Sequence, residues 1–165
     1  MGKVALARVD ERLVHGQVMT NLSKSAGANA IFIVDDAVAK DDFMKMIFVN
    51  SGSRTGLKVK VFTVEDAVKY WQEKEFENYS VILLTKNIAV IHQLVISGVA
   101  VKELNLGGIA KRPATTAIIP QVAIDKPMAD MLVDMHDHYQ VDDIYCQATP
   151  SLKKVGLEET IKAFK

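Results

Sequence analysis

Cysteine, aromatic rings, net charge and long apolar runs are all scarce in this sequence, and each scarcity narrows what the chain can be. The single Cys146 has no second thiol to pair with, so an internal disulfide is excluded and a reducing compartment fits. It reads as a small buried apolar residue rather than a reactive thiol. Aromatic residues are few and 20 basic residues balance 20 acidic ones, so no global field draws in nucleic acid or an anionic membrane. Recognition must be local. No stretch approaches the roughly 18 consecutive apolar residues of a spanning helix. The start, "MGKVALARVDERL", lacks the basic opening, apolar run and small-residue cleavage site of a signal peptide, which points to the cytoplasm. GxxxxGK[ST], GxGxxG and GxSxG are all missing, and with them the mononucleotide, dinucleotide and serine-hydrolase fingerprints.

What is present is a regular alternation. At 165 residues the chain is long enough for one domain over 1–165 with a sizeable core. Short β-branched runs at 4–9, 30–34, 57–62, 80–85, 103–106, 116–120 and 141–147 read as strands. Amphipathic stretches at 17–24, 39–49, 64–73, 88–97, 127–138 and 157–164 read as helices, the last of them peripheral and loosely packed. The pattern predicts an α/β fold: a mostly parallel, open twisted sheet with helices on both faces and room for one antiparallel edge strand. Thr63 suits an N-cap, Pro127 a first helical turn, and Gly98 a C-terminal cap. In such folds ligands bind outside the carboxyl ends of the strands.

One of those ends is crowded with charge. In "RVDERLVHGQV", residues 8–18, His15 falls where the loop becomes a helix, and Gly16 lets a ligand approach the backbone. Free amides at a helix start favour an anion. A phosphoryl group on or near His15 would meet them, and the planar forks of Arg8 or Arg12 suit its oxygens. Asp10 or Glu11 could orient the imidazole and leave its other nitrogen free to attack. Equally, a helix-start histidine beside a solvated charged loop accounts for the same spacing. "NLGGIAKRP" (105–113), with Lys111 and Arg112, is either a second anion-facing loop or a tight turn. "IFIVDDA" resembles the acidic pair of a receiver domain, but Thr85 stands where the later strand needs an aspartate. His136 and His138 are two apart, so they do not share a helix face as metal ligands would; no metal is expected. His92 reads as a helix-surface or core residue.

"RVDERLVHGQV" is similar to the active-site loop of the IIB components of the mannose/sorbose family of the bacterial sugar phosphotransferase system. "IFIVDDAVAKDD", "GVAVKELNLGGIAKRP" and the strand–helix alternation extend the resemblance over nearly the whole chain. It implies that His15 accepts a phosphoryl group from a IIA component and donates it to a sugar entering through the membrane IIC and IID components. By the same resemblance Arg12 and Arg8 hold the phosphoryl oxygens, Asp10 orients the loop or the imidazole, and no cofactor is needed. The protein would associate peripherally with the IIC/IID complex, and a homodimer is left open. Two departures stand out: Thr20, Asn21 and Leu22 lie where many relatives have a tryptophan, and Glu11 replaces a common aspartate. The rival is a non-enzymatic α/β module that holds an anionic metabolite at the first strand–helix loop.

Overall fold

The computed structural model describes all residues except Met1, His15, Arg54 and Thr55, and all side chains among the rest except those of residues 16–18 and 53. In chain order the elements are β1 (Lys3–Asp10), α1 (Gly16–Ala26), β2 (Ala30–Val34), α2 (Asp36–Lys40), α3 (Asp42–Ser53), β3 (Lys58–Phe62), α4 (Val64–Lys74), β4 (Ser80–Thr85) and α5 (Ile88–Ile96). There follow β5 (Glu103–Gly108), β6 (Thr116–Ile119), β7 (Val122–Ile124), α6 (Lys126–His138), β8 (Asp143–Cys146), β9 (Val155–Gly156) and α7 (Leu157–Lys162).

Seven strands form one sheet in the order β3-β2-β4-β1-β5-β8-β9, parallel throughout except for β9, which runs antiparallel to β8 at the edge. Period-two alternation sends Ala30, Phe32 and Val34 into one apolar layer and Ile31 and Ile33 into the other. α1 supplies Met19 and Leu22 to the second layer, whereas α6 supplies Ala129, Leu132 and Met135 to the first. Both faces are therefore covered, as a continuous Val/Ile/Leu strand requires. The few aromatics are concentrated in the first layer, where Phe32 lies edge-on to Phe62 and Phe76 at centroid separations of 5.1 and 5.0 Å.

The helix ends follow local chemistry. Thr63 caps α4 by accepting from the Asp66 amide at 3.1 Å, and Pro127 lies in the first turn of α6. Gly98, at φ 106°, closes α5: its amide donates to Val95 O and the Val99 amide to Leu94 O, at 3.1 and 3.0 Å.

Three expectations change. The single helix expected over 39–49 is two helices, because Asp35 caps α2 through the Val38 amide at 2.9 Å and Asp41 caps α3 through the Phe43 and Met44 amides, both at 3.1 Å. The acids of "IFIVDDAVAKDD" are thus helix starts. The strand expected at 116–120 forms outside the main sheet, in a two-stranded antiparallel pair with β7, since its half-exposed residues could not fill a covered position. The closing helix is firmly docked: Thr160 is buried, and Leu157 and Phe164 pack on the core.

β1 sits between β4 and β5. The chain leaves β1 toward β2 on one side and leaves β5 toward β8 on the other, so the β1 and β5 ends flank a topological switch point.

Candidate active site

Along β1, residues 6, 8 and 10 share one face. Leu6 joins the apolar layer, while Arg8 and Asp10 carry full charges and are both 0% exposed. A buried arginine is costly unless its charge is paired and most of its donors are met; here Nε has no partner among the described residues, and the two Nη atoms carry the bonds. Arg8 Nη1 donates to Asn105 Oδ1 of β5, and Nη2 donates to Ala148 O at 2.8 Å and to Asp10 Oδ2 at 3.1 Å. Burial pushes its guanidinium below the ordinary arginine value, with Asp10 opposing the shift. Arg8, expected from sequence to face a phosphate, is placed inside the protein with its fork on Asn105, Asp10 and Ala148.

The Asp10 carboxylate holds a second arginine. Oδ1 accepts from the Arg12 backbone amide at 3.0 Å and from its Nε at 3.2 Å, and Oδ2 accepts from its Nη2 at 3.3 Å. Unlike Arg8, the Arg12 side chain is 58% exposed. Two guanidiniums share one carboxylate, which leaves a net positive charge at the switch point and presents it through Arg12. Leu13 closes the turn, its amide donating to Asp10 O at 2.9 Å; it is fully buried and adopts a left-handed φ of 56°.

The glycines of "NLGGIAKRP" answer a question that spacing left open. They end β5 beside β1, with Gly108 paired to Asp10. A β-carbon at Gly107 would lie 2.2 Å from Arg8 Cζ, and one at Gly108 would lie 2.7 Å from Asp10 Oδ1. They are the space in which the Arg8–Asp10 pair lies, and two glycines opposite a strand-borne Arg-x-Asp are the signal by which sequence reasoning could have found that packing.

Past the strand end, the Glu11 amide donates to Gly108 O at 2.9 Å. Its carboxylate accepts from the Ala110 amide at 2.7 Å and from Arg112 Nη2. Two concavities open here. One, of about 510 Å³, is lined by Glu11, Lys86, Asn87, Ile88, Ile109, Arg112 and Met128; the other, of about 290 Å³, lies over Asp10, Glu11, Arg12 and residues 108–110.

Of the site residues read from sequence, Arg8, Asp10 and Arg12 come together, Gly16 opens α1, and His15 lies outside the described residues. The other histidines sit elsewhere. His92 Nε2 and His138 Nδ1 hydrogen-bond to the two oxygens of Asp134, at 2.7 and 2.9 Å, and His136 Nδ1 lies 2.9 Å from Asp137 Oδ1. Among the described residues no cluster of His, Cys, Asp and Glu is arranged to hold a metal ion, and no helix is long and apolar enough to cross a membrane.

Fold and site together define a doubly wound α/β domain that presents cationic groups at the end of its central strand. Residues 4–162 match the family described as "PTS system sorbose subfamily IIB component". The sorbose-specific EIIB component of Lacticaseibacillus casei is 33% identical over 133 residues, covering 81% of this chain and 80% of that one. Among solved structures, manxB from Thermoanaerobacter tengcongensis superposes with a TM-score of 0.91 at 36% identity, over 99% of this chain and 98% of that one. The IIBSor domain of the Klebsiella pneumoniae sorbose permease gives a TM-score of 0.86 at 29% identity, over 97% of both chains. The chain belongs to the mannose/sorbose family of phosphotransferase-system IIB components, sugar phosphotransferase subunits that transfer a phosphoryl group during sugar uptake. That membership sets aside the non-enzymatic module.

Proposed function

We propose that residues 1–165 act as a single IIB unit at the cytoplasmic face of the membrane, in which His15 takes a phosphoryl group from a phosphohistidine of a IIA component and passes it to a sugar entering through IIC and IID. The observation that supports this reading most is the sharing of Asp10 between buried Arg8 and exposed Arg12, at the end of the strand that precedes His15 in the sequence.

In the first step a neutral imidazole nitrogen of His15 attacks phosphorus. The N–P bond on the IIA histidine breaks as the new one forms, and the departing imidazole keeps the electron pair. In the second step a sugar hydroxyl oxygen attacks, its proton leaves to solvent, and the His15 N–P bond breaks. The attacking form is the neutral imidazole, whose free nitrogen carries the lone pair. Transfer of this kind asks the protein for positioning and charge stabilisation. Arg12 supplies the charge, the first amides of α1 at Gly16 add to it, and Asp10 and Arg8 hold Arg12 in place.

The test is intact-mass analysis after incubation with phosphoenolpyruvate, the two general phosphotransferase proteins and a matching IIA component. An acid-labile gain of about 80 Da is expected, absent in His15→Ala and retained in His92→Ala, His136→Ala and His138→Ala. Labelling that persists without His15 would overturn the assignment.

A further inference from the structure

Glu11 and Arg112 are 101 positions apart, yet they join the segment after β1 to the segment after β5. The join is more than one surface ion pair, which alone would contribute little. Glu11 uses one carboxylate oxygen on the Ala110 amide and the other on Arg112 Nη2, while Arg112 Nη1 donates to Ala110 O at 3.0 Å. Both side chains thus grip the same short piece of backbone.

That piece is itself preset. The Thr115 amide donates to Arg112 O at 3.1 Å, Pro113 takes the first central position of the turn, and Ala114 takes the second with a left-handed φ of 67°. The Arg112 amide donates back to Thr115 Oγ1 at 2.9 Å, so the root of the arginine side chain is fixed before it reaches Glu11.

On the other side, Glu11 lies between Asp10 and Arg12. Asp10 fixes the turn from inside the protein, through Arg8 and Arg12, and Glu11 fixes it from outside. Glu11 also lines both concavities, standing between the one that contains Arg12 and the one that contains Lys86 and Asn87.

We infer that Glu11 and Arg112 are positioning residues for phosphoryl transfer: their latch holds the turn that carries Arg12, and the chain beyond it, in register with the β5 end. The inference rests on the phosphoryl-carrier reading above. It assigns neither residue to the phosphoryl group, because each is engaged by the other.

The experiment is single-turnover transfer from phosphorylated IIA to the full chain, comparing wild type with Glu11→Ala, Arg112→Ala, the double variant and Arg112→Lys. Each alanine variant should lower the limiting rate roughly tenfold, since small misplacements are costly in such reactions, while the half-saturating IIA concentration stays within about twofold of wild type. Because both substitutions open one latch, the double variant should be no slower than the slower single one. Arg112→Lys, which keeps the charge but not the fork, should fall between. Melting temperatures recorded on the same samples separate misfolding from mispositioning, and Arg112→Lys, the mildest change, carries the comparison if an alanine variant unfolds. Wild-type rates in the variants, additive losses, or a change confined to the half-saturating concentration would overturn the latch. Failure of wild type to accept a phosphoryl group from a demonstrably phosphorylated IIA would overturn the underlying reading instead.

Discussion

Gly107 and Arg8 lie so close across adjacent strands that a β-carbon at 107 would sit 2.2 Å from the guanidinium carbon. Arg8 has nowhere to retreat, because its face is buried and its fork is held by Asn105, Asp10 and Ala148. Gly107→Ala should therefore cost about 3 kcal/mol, the upper range for overpacking. Urea denaturation would read this as a lower midpoint at an unchanged slope.

Asp10→Asn removes the carboxylate that balances Arg8 at zero exposure. Breaking a buried pair by deleting one partner costs about 3–5 kcal/mol, because the other charge stays uncompensated. The variant should melt well below wild type. Asp10→Asn combined with Arg8→Met should recover part of that loss in the same melting experiment, which no surface role for Arg8 would produce.

Ala114→Gly should act in the opposite direction. A residue with a β-carbon is strained at φ 67°, by about 1–2 kcal/mol, and glycine relieves that while giving back some chain entropy. A net gain of about 0.5–1 kcal/mol in chemical denaturation is expected, with Pro113 still fixing the turn.

Hydrogen bonds from His92, and then His138, hold the Asp134 carboxyl below its ordinary range. For a carboxyl depressed in the folded state, the stabilisation is present above the unfolded value, near 3.9, and is lost as pH falls through the folded value. In acid denaturation, Asp134→Asn should therefore flatten the fall in stability on the acidic side of pH 4, and melting curves recorded between pH 2 and 6 would check it.

Burial pushes the Cys146 thiol up to about 11. At pH 8 the native protein should resist a thiol-alkylating reagent and react within minutes once unfolded in urea, as followed by mass.

Much of this was legible in the chain. Strands rich in Val, Ile and Leu could only be covered on both faces, and Thr63, Gly98 and Pro127 marked helix ends by chemistry that acts within one turn. The charge gathered at 8–12 does fall at the end of β1, beside β5. What could not be read were relationships between segments. Arg8 has the same parity as Leu6, yet whether it faces solvent or interior depends on Asn105, Gly107 and the carbonyl of Ala148, about a hundred or more residues away. The acid pair at 41–42 misled for a local reason: the Asp41 cap that starts α3 interrupts an apolar periodicity that looks continuous from 39 to 49.

Because Arg8 is knitted into the interior, the charged site is completed by the same event that closes the core. No separate ordering step remains for a docking partner to drive at Arg8 and Asp10, and no stable intermediate should expose them while the sheet persists. Amide hydrogen exchange along residues 6–10 should then proceed only through global unfolding, so a chain that has lost this part of its site has also lost the fold that quality-control proteases inspect.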